Sequence, residues 1–580
     1  MVEPTLRWRY PEPGSPGLEY VAAVAAHGGG ERLARVLARR GVAAAELPSF
    51  FGPAEAGLHD PGLLPDAHRA AERIAQARAR GEGVLVVGDF DADGLCGLAI
   101  LVRSLRDLGL DVVGHVPSRA GDGHGLSMRC VELARSGDRT LIVTVDTGTS
   151  SGAEIAAAAG QGIEVIVTDH HRVPLDLPPA VAVVNPHRLD ARYPDRRLSG
   201  AGVAFRLAGH LADRLGGSRE LAASLADLAA IGTVSDVAPV LGENRAIARL
   251  GLERLRADPR PGLAALLATA GIDPPAVTLD TVAFVIAPRL NAAGRVGDAD
   301  DAAALLLEDE PGRAADLAGR LEEANLIRRE LTRTALDGAR ATLAAEPPGD
   351  GGPVFVRGSW PVGVIGLVAG RLAEELARPA IVATETDGLL RASCRAGDGV
   401  DLAAALEGCS DLLARHGGHR SAAGFEVAVE RWDEVRTRLG ALLAVSDTAP
   451  GPVLEVDLVL PATSLDYELL GELAMLEPTG PGNPAPVIAV HELTVTRVRA
   501  ANGGHAQLTL RRELDVVDAI AFGRADLVDR LLPGDRVEVA ARLASRRFGG
   551  FESLQLEVLD VGSVGSSVPA TAAAPVEAVP

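Results

Sequence analysis

Short apolar runs alternate with helix-periodic segments between Val84 and Asn185. Continuous apolar runs of about four to eight residues predict buried strands, and apolar residues spaced three and four apart predict helices. Such alternation is typical of a parallel, doubly wound α/β sheet, in which ligands bind beyond the carboxyl ends of the strands. Strands are predicted at 84–88, 111–116, 141–145, 163–167 and 181–184.

The remainder of the chain divides by pattern into helical and β-rich segments. An apolar stripe of Leu33, Val36, Leu37 and Val42 predicts a helix near the N-terminus, and alternating runs after 453 predict five or more short strands. We expect an N-terminal helical segment at 1–80, a first α/β domain at 81–255, a helical connector at 256–350 with a long helix at about 299–345, a second α/β domain at 351–445, a small β-barrel of OB type at 453–562 and a disordered tail at 563–580.

Composition narrows the class of protein. The 580 residues are 47% hydrophobic, yet no apolar run reaches the roughly 18 residues of a membrane span, and the first residues lack the apolar core of a signal peptide. Four cysteines form no paired motif, so we expect a reduced, cytoplasmic protein. A net charge of −21 argues against nucleic-acid binding over the whole surface but leaves room for a local basic channel.

Three aspartates follow the first predicted strand, in the sequence VLVVGDFDADGLCG. Asp89, Asp91 and Asp93 alternate with Phe90 and Ala92. If the chain stays extended there, the period of two turns all three carboxylates to one side. Like charges so close repel each other unless a cation lies among them, and oxygen ligands suit Mg²⁺ or Mn²⁺. The other interpretation is a solvated acidic turn without chemistry.

Further carboxylates and two histidines follow the other predicted strands. Asp146 ends one strand, and Asp169, His170 and His171 end the next, while Asp236 lies in a helix break before a proline. Each alone has an ordinary explanation, as a helix cap or a polar surface residue. Their coincidence at successive strand ends favours an oxygen-rich Mn²⁺ or Mg²⁺ site over a closed zinc site.

Candidate phosphate contacts lie in the second half of the chain. Glycines in HGGHRSAAGF let a backbone approach its ligand closely, and the neighbouring His419 is suited to holding a phosphate, although a plain glycine-rich strand turn explains the same pattern. Arginines are the other candidates, either as phosphate contacts or as ordinary surface residues. The residues concerned are Arg289, Asn291, Arg295, Arg328, Ser393, Arg395, Gly417, Gly418 and His419.

The motifs GDFDADG, VDTG, TDHH and SDVAP, in that order, resemble those of the DHH phosphoesterase superfamily, and HGGHRSAAGF resembles the GGH motif of its DHHA1 substrate-binding domain. Segments such as LHDPGLLPD, PRLNAAGR and LEPTGPGNPAPV extend the likeness to the RecJ-type single-stranded-DNA-specific exonucleases over most of the chain. The N-terminal segments and the C-terminal β region distinguish that type from small DHH pyrophosphatases and oligoribonucleases. The sequence departs from the usual pattern at Leu95-Cys96-Gly97, at Thr147 of VDTG and at Pro361.

The resemblance implies a metal-dependent 5′-to-3′ exonuclease that degrades single-stranded DNA to mononucleotides in repair and recombination. It implies two Mn²⁺ or Mg²⁺ ions sharing Asp146, one also held by Asp91 with Asp89 and the other by Asp93, His170 and Asp236. His171 would then lie close by, either supporting the metal ligands or contacting the scissile phosphate, with Asp169 orienting both histidines. The resemblance also implies single-strand-binding protein and a helicase as partners, and we expect a monomer that contacts no membrane.

Two other classes of function stay open. One is a DHH phosphodiesterase acting on short RNA or cyclic dinucleotides, which a preference for short substrates would reveal. The other is a non-catalytic protein that binds DNA on the same scaffold, which would show no hydrolysis with any metal. Because aromatic residues make up only 3% of the chain, we expect backbone contacts to dominate single-strand binding, with clear salt dependence.

Overall fold

The computed structural model describes residues 2–564 except 13, 15, 119–122, 124, 350, 387, 398, 445–452 and 549–550. The tail predicted at 563–580 therefore lies almost wholly outside the described residues. The chain forms two compact units, one comprising 54–449 and the other 1–53 together with 450–580. No helix in the described part of the chain combines the length and apolar character that a membrane crossing needs.

The first 53 residues belong with the C-terminal region rather than with 54–80, which differs from the single N-terminal segment predicted at 1–80. Asp560, which is fully buried, accepts hydrogen bonds from the backbone of Thr5 and Leu6 and from Trp8 Nε1. The apolar stripe beginning at Leu33 packs into the same core as the C-terminal strands, which is why this segment separates from 54–80. Its elements are β1 (Arg7–Arg9), α1 (Leu18–Ala25), α2 (Glu31–Arg39) and α3 (Leu47–Phe51).

The first α/β domain has a five-stranded parallel sheet, as the sequence predicts. Val84 and Val86 face one layer of helices, while Leu85 and Val87 face the other, so both faces are covered. The spatial order is β3-β2-β4-β5-β6. The elements are α4 (Ala67–Arg80), β2 (Gly83–Gly88), α5 (Ala92–Asp107), β3 (Asp111–His115), α6 (Met128–Ser136), β4 (Arg139–Val145), α7 (Gly152–Ala159), β5 (Glu164–Thr168) and β6 (Ala182–Val184).

Helices between 200 and 345 complete this domain and lead to the next. Leu263, Leu290 and Leu305 are buried in the same core as the sheet, so much of the predicted connector belongs to the first domain. The predicted helix at 299–345 is broken at 308–310, where Glu310 caps a new helix that has Pro311 in its first turn. These helices are α8 (Gly200–Leu215), α9 (Arg219–Ser224), α10 (Ala226–Ser235), α11 (Gly242–Ala257), α12 (Pro261–Thr269), α13 (Leu279–Thr281), a π-helical turn (Val282–Ile286), α14 (Ala287–Val296), α15 (Asp300–Leu307) and α16 (Pro311–Ala345).

Helix α16 packs into two hydrophobic cores. Leu317 and Leu321 pack into the first domain, whereas Ala335 and Ala339 pack against strands and a helix of the second α/β domain. That domain has a mixed sheet of order β10-β11-β9-β8-β7, in which only β7 and β8 run parallel. Its elements are β7 (Val354–Gly358), α17 (Val362–Leu376), β8 (Ala380–Thr386), β9 (Leu389–Arg395), α18 (Leu402–Glu407), β10 (Arg415–Gly418), β11 (Ala422–Ala428) and α19 (Trp432–Leu442).

The C-terminal region contains a closed barrel, which confirms the predicted OB-type fold. Five strands run in the order β14-β15-β16-β18-β17, and pairing of β14 with β17 closes the barrel. Closure satisfies the hydrogen bonds of every barrel edge. The elements are β12 (Val453–Glu455), β13 (Leu458–Leu460), α20 (Tyr467–Ala474), β14 (Ile488–Ala501), β15 (His505–Arg512), β16 (Asp515–Ala521), α21 (Leu527–Arg530), β17 (Arg536–Phe548) and β18 (Phe551–Ser563).

Candidate metal centre

The carboxyl ends of β2, β4 and β5 lie side by side and bring the predicted acidic residues together. The backbone N–H of Asp89 donates to Val145 O at 3.2 Å, and that of Asp146 donates to Thr168 O at 3.0 Å, so the sheet pairing continues into the loops. Ligand atoms within 4.8 Å of one another form three overlapping groups. These groups are Asp89, Asp91 and Asp146; Asp93, His170 and Asp236; and Asp146, His170 and His171.

The three aspartates after β2 converge by a different route from the extended chain considered in the sequence analysis. Helix α5 already begins at Ala92, and Asp91 is its N-cap, accepting hydrogen bonds from Asp93 N at 3.0 Å and Gly94 N at 3.1 Å. Asp93 therefore lies in the first helical turn. The helix cap, rather than strand alternation, holds two of these carboxylates near each other.

Asp93 is anchored by the N-terminus of α8. Its Oδ2 accepts a hydrogen bond from Gly200 N at 2.7 Å, and its Oδ1 accepts one from Ala201 N at 2.9 Å. The free N–H groups of a helix N-terminus favour a carboxylate, so this buried aspartate is fixed in place. Nothing in the sequence analysis identified the start of α8 as part of the site, although Ser199 before two small residues is a helix-start signal.

Asp146 is the carboxylate common to two of the groups. Its side chain is 4% exposed, and its backbone has a φ of 59°, which few residues other than glycine adopt. The buried Oδ1 has no hydrogen-bond partner within the described part of the chain, and His170 Nε2 lies within ion-pair distance of it, at 3.0 Å. Burial raises the pKa of Asp146 well above its usual range, and the charges of Asp93, Asp91 and Asp89 raise it further. An unbonded, buried carboxylate oxygen among like charges fits a divalent cation.

His170 lies between two further carboxylates. Its Nε2 is 3.9 Å from Asp93 Oδ2, and its Nδ1 is 3.8 Å from Asp236 Oδ2. Burial, together with the charge of Asp93, raises the pKa of Asp236 to about 7. For His170, burial alone would lower the pKa, but the charges of Asp236 and Asp93 raise it. These ligands therefore hold protons that a metal ion would displace.

Asp169 holds the second histidine. Its Oδ1 lies 2.8 Å from His171 Nδ1, and its Oδ2 accepts a hydrogen bond from Thr149 N at 3.0 Å. Burial alone would raise the pKa of Asp169, but the hydrogen bond and charge of His171 hold it below its usual range. Burial would lower the pKa of His171, which Asp169 raises to about 9. The ring is thereby oriented with Nε2 away from Asp169.

Asn185 supports this arrangement and was missed in the sequence analysis. Its Nδ2 donates to Thr149 Oγ1 at 3.1 Å and to His171 O at 2.9 Å, and the residue is fully buried. It follows β6, the next parallel strand, so the same strand-end argument that selected Asp146 would have found it. An uncharged amide is a weaker signal of a metal centre than a carboxylate, because it carries no charge that a cation would balance.

The second α/β domain contributes His419 to the same edge. The rings of His419 and His171 are stacked, with centroids 5.8 Å apart and an interplanar angle of 18°. Gly417 and Gly418 lie at the end of edge strand β10 rather than in a turn, and a Cβ on Gly418 would come within 2.4 Å of the Ala423 backbone. The glycine pair therefore permits a close strand pairing that places His419 over the first domain.

Ser393 and Arg395 lie on β9 beneath helix α17. A Cβ on Gly366 would meet Ser393 Oγ at 3.1 Å and an Arg395 guanidinium nitrogen at 3.2 Å, so glycine keeps this space open. Arg395 donates to Cys394 O at 2.8 Å, and no carboxylate of the described residues pairs with it. Burial lowers the pKa of Arg395. An unneutralised guanidinium beside a hydroxyl is suited to binding a phosphate.

The remaining predicted contacts make bonds within the protein. Arg289 forms an ion pair with Glu322 at 2.5 Å, and Asn291 Oδ1 accepts a hydrogen bond from Ala92 N at 2.8 Å. Arg295 donates to Gly363 O at 3.1 Å, which joins the two α/β domains. Arg328, also named as a phosphate contact, donates to Asn325 Oδ1 at 2.9 Å. Asn291 thus stabilises the start of α5, next to Asp91.

This fold, with carboxylates and histidines at one sheet edge and a glycine–histidine strand facing them, defines a phosphoesterase of the DHH type. Models of the "DHH family, N-terminal domain", the "DHHA1 domain" and the "RecJ OB domain" match residues 83–233, 351–444 and 456–560. The chain belongs to the RecJ family. It is 35% identical over 535 residues to the single-stranded-DNA-specific exonuclease RecJ of Bacillus subtilis, covering 91% of this chain and 67% of that protein.

A second RecJ exonuclease, from Thermus thermophilus, is 38% identical over 506 residues, covering 86% of this chain and 72% of that protein. The solved structure of T. thermophilus RecJ in complex with Mn²⁺ matches with a TM-score of 0.81 and 33% identity, covering 96% of this chain and 79% of that one. The same protein in complex with Mg²⁺ matches with a TM-score of 0.77 and 32% identity, covering 96% and 78%. The folds of the two α/β domains and of the barrel are therefore those of RecJ.

Proposed function

We propose that this protein is a metal-dependent exonuclease that hydrolyses single-stranded DNA from the 5′ end to mononucleotides, in DNA repair and recombination. The observation that carries the proposal is the group of carboxylates and histidines around the unbonded, buried Oδ1 of Asp146. Family membership supports the substrate, because the B. subtilis and T. thermophilus relatives are single-stranded-DNA-specific exonucleases.

The ligand set supports two divalent ions, Mn²⁺ or Mg²⁺, which are the ions in the T. thermophilus structures. Two divalent ions supply the positive charge that stabilises an in-line displacement at phosphorus. Asp146 would contact both ions. Asp91 with Asp89 would hold one, and Asp93, His170 and Asp236 would hold the other. These two sets correspond to the group that contains Asp89 and Asp91 and to the group that contains Asp93 and Asp236.

The chain's own residues position the substrate. His171 is fixed by Asp169 and stacked against His419, and its other ring nitrogen would contact the phosphate to be cleaved. Ser393 and Arg395 bind a phosphate in the space that Gly366 keeps open. Because the chain has a net charge of −21, this local positive charge has to offset a repulsive background for DNA to bind.

The decisive experiment follows degradation of a single-stranded oligonucleotide labelled at either end, with Mn²⁺ or Mg²⁺. We expect mononucleotides released from the 5′ end by the native protein and none by Asp146→Ala. A matched control is Asp258→Asn, whose side chain is 85% exposed and which should cleave like the native protein. Hydrolysis only of short RNA or cyclic dinucleotides would refute the proposal and favour the other DHH activity, and binding without hydrolysis would favour a non-catalytic role.

We further propose that the protein works in the cytoplasm as a monomer, together with single-strand-binding protein and a helicase. Its resemblance to RecJ-type enzymes supports these partners. Light scattering of the purified chain would measure its mass in solution, and the mass of a dimer would contradict the proposed monomer. Degradation of a duplex only when a helicase is added would support the proposed helicase partner.

A further inference from the structure

Phe284 is an exposed aromatic residue on an irregular stretch of helix. Its side chain is 75% exposed, whereas Val282 and Ile286 in the same π-helical turn are fully buried. Among the side chains that the structure describes, Phe284 and Phe522 are the only phenylalanines that are more than half exposed. Isolated π-helical turns occur frequently at functional sites, because they redirect a side chain without breaking the helix.

This turn adjoins two helices that lead to the metal centre. It packs against α10, whose following residue is Asp236. The helix then continues into α14, where Asn291 bonds to the backbone of Ala92, next to Asp91. Seven residues separate Phe284 from Asn291, which is about 10 Å along the helix.

Positive charge accompanies the ring on the neighbouring helix. Arg328 has a buried Nε without a hydrogen-bond partner in the described part of the chain, and the charge of Arg289 adjoins it. Arg289 itself bonds to Val285 O at 2.9 Å, within the π-helical turn, but its charge is paired with Glu322. Of these two arginines, only Arg328 has no carboxylate partner among the described residues. Cationic groups that follow the phosphate backbone, combined with an aromatic ring for the bases, are how proteins bind single strands without sequence preference.

We propose that Phe284 stacks on a nucleobase of the single-stranded substrate. The inference rests on the proposed function, and it adds a base contact to a site that otherwise contacts the sugar–phosphate backbone. Stacking tolerates every base, so the contact gives single-strand selectivity rather than sequence selectivity. A duplex, whose bases are paired and covered, cannot offer its base face to this ring.

The test compares Phe284→Ala, Phe284→Leu and Phe284→Trp on two oligonucleotides of equal length. One carries thymine throughout, and the other has reduced abasic sites at the first five positions. On the thymine strand we expect kcat/KM to fall about fivefold or more for Ala and Leu, mainly through KM, and to stay near native for Trp. On the abasic strand all variants should resemble the native protein. Leu133→Ala, which removes a side chain 40% exposed on α6, is the matched control and should change neither rate.

The outcomes separate this inference from the proposed function. A native chain that cleaves both strands, with Phe284→Ala equal to it on thymine, overturns the stacking contact and leaves the nuclease intact. Equal losses for Phe284→Ala on both strands also overturn it, because the effect would not depend on a base. A native chain that cleaves neither strand overturns the proposed function and this inference with it.

Discussion

Binding of Mn²⁺ should weaken steeply as the pH falls from 7 to 5. Burial raises the pKa of Asp236 to about 7, so below that pH the carboxyl holds a proton that the metal must displace. With one such proton, the fraction of Asp236 that is ionised falls roughly 50-fold between pH 7 and pH 5, and the affinity falls with it. Asp146 and His170, whose pKa values are also raised, act in the same direction.

Without metal, the contribution of these carboxyl groups to the free energy of unfolding should decrease as the pH rises, whereas the affinity for Mn²⁺ increases. Asp146 and Asp236 bind protons more tightly in the folded chain than in the unfolded chain, so they favour folding at low pH. That contribution is lost as the pH rises from about 4, the unfolded value, through the raised folded values. The stabilisation gained from Mn²⁺ should therefore grow with pH.

Two measurements check this linkage. Isothermal titration calorimetry at pH 5, 6 and 7 gives the affinity, and thermal melting with Mn²⁺ or with a chelator gives the stabilisation. Asp258→Asn should follow the native protein at every pH. An affinity for Mn²⁺ that is the same at pH 5 and pH 7 would refute the assignment of Asp236 and Asp146 as ligands.

Three further variants test the surroundings of the metal centre. Gly200→Ala places a Cβ 2.4 Å from the Cβ of Asp146, so it should destabilise the protein by about 1–3 kcal/mol and weaken metal binding. Denaturant unfolding and metal titration measure the two effects. The control is Gly209→Ala on the same helix, whose Cβ meets nothing within 4 Å and which should be neutral. Asp169→Asn removes the charged partner of the second histidine and should lower kcat by about 10- to 100-fold with little change in melting temperature; an unchanged rate would contradict its orienting role. Arg395→Ala should weaken binding of single-stranded DNA and reduce the slope of log K against log salt by about 0.7, and an unchanged slope would show that this arginine contacts no phosphate.

The sequence predicts the metal centre better than it predicts the substrate groove. Strand ends are recognisable because an apolar run stops at a charged residue. Parallel strands then bring Asp146 and Asp169 to one edge of the sheet, whatever the conformation of the segment that connects the strands. The route by which Asp91 and Asp93 converge was not predictable in the same way, since it depends on where α5 begins. Arg289 illustrates the harder case, because its partner Glu322 lies 33 residues away on another helix and periodicity does not reveal it.

The division of the chain was also only partly predictable. An apolar stripe such as that around Leu33 shows that a helix packs against something, but not what it packs against. Here the partner is the barrel almost 500 residues later, with Asp560 binding Trp8. Local patterns predict elements, whereas contacts between distant segments become visible only in the folded chain.

Helix α16 has a consequence for how residues 54–449 unfold. Leu317 and Leu321 belong to one hydrophobic core and Ala335 and Ala339 to the next, with no interruption of the helix between them. Fraying in the middle of this helix would expose apolar surface on both sides at once, so neither domain can melt without weakening its neighbour. The two α/β domains therefore form one cooperative unit, which should melt in a single calorimetric transition.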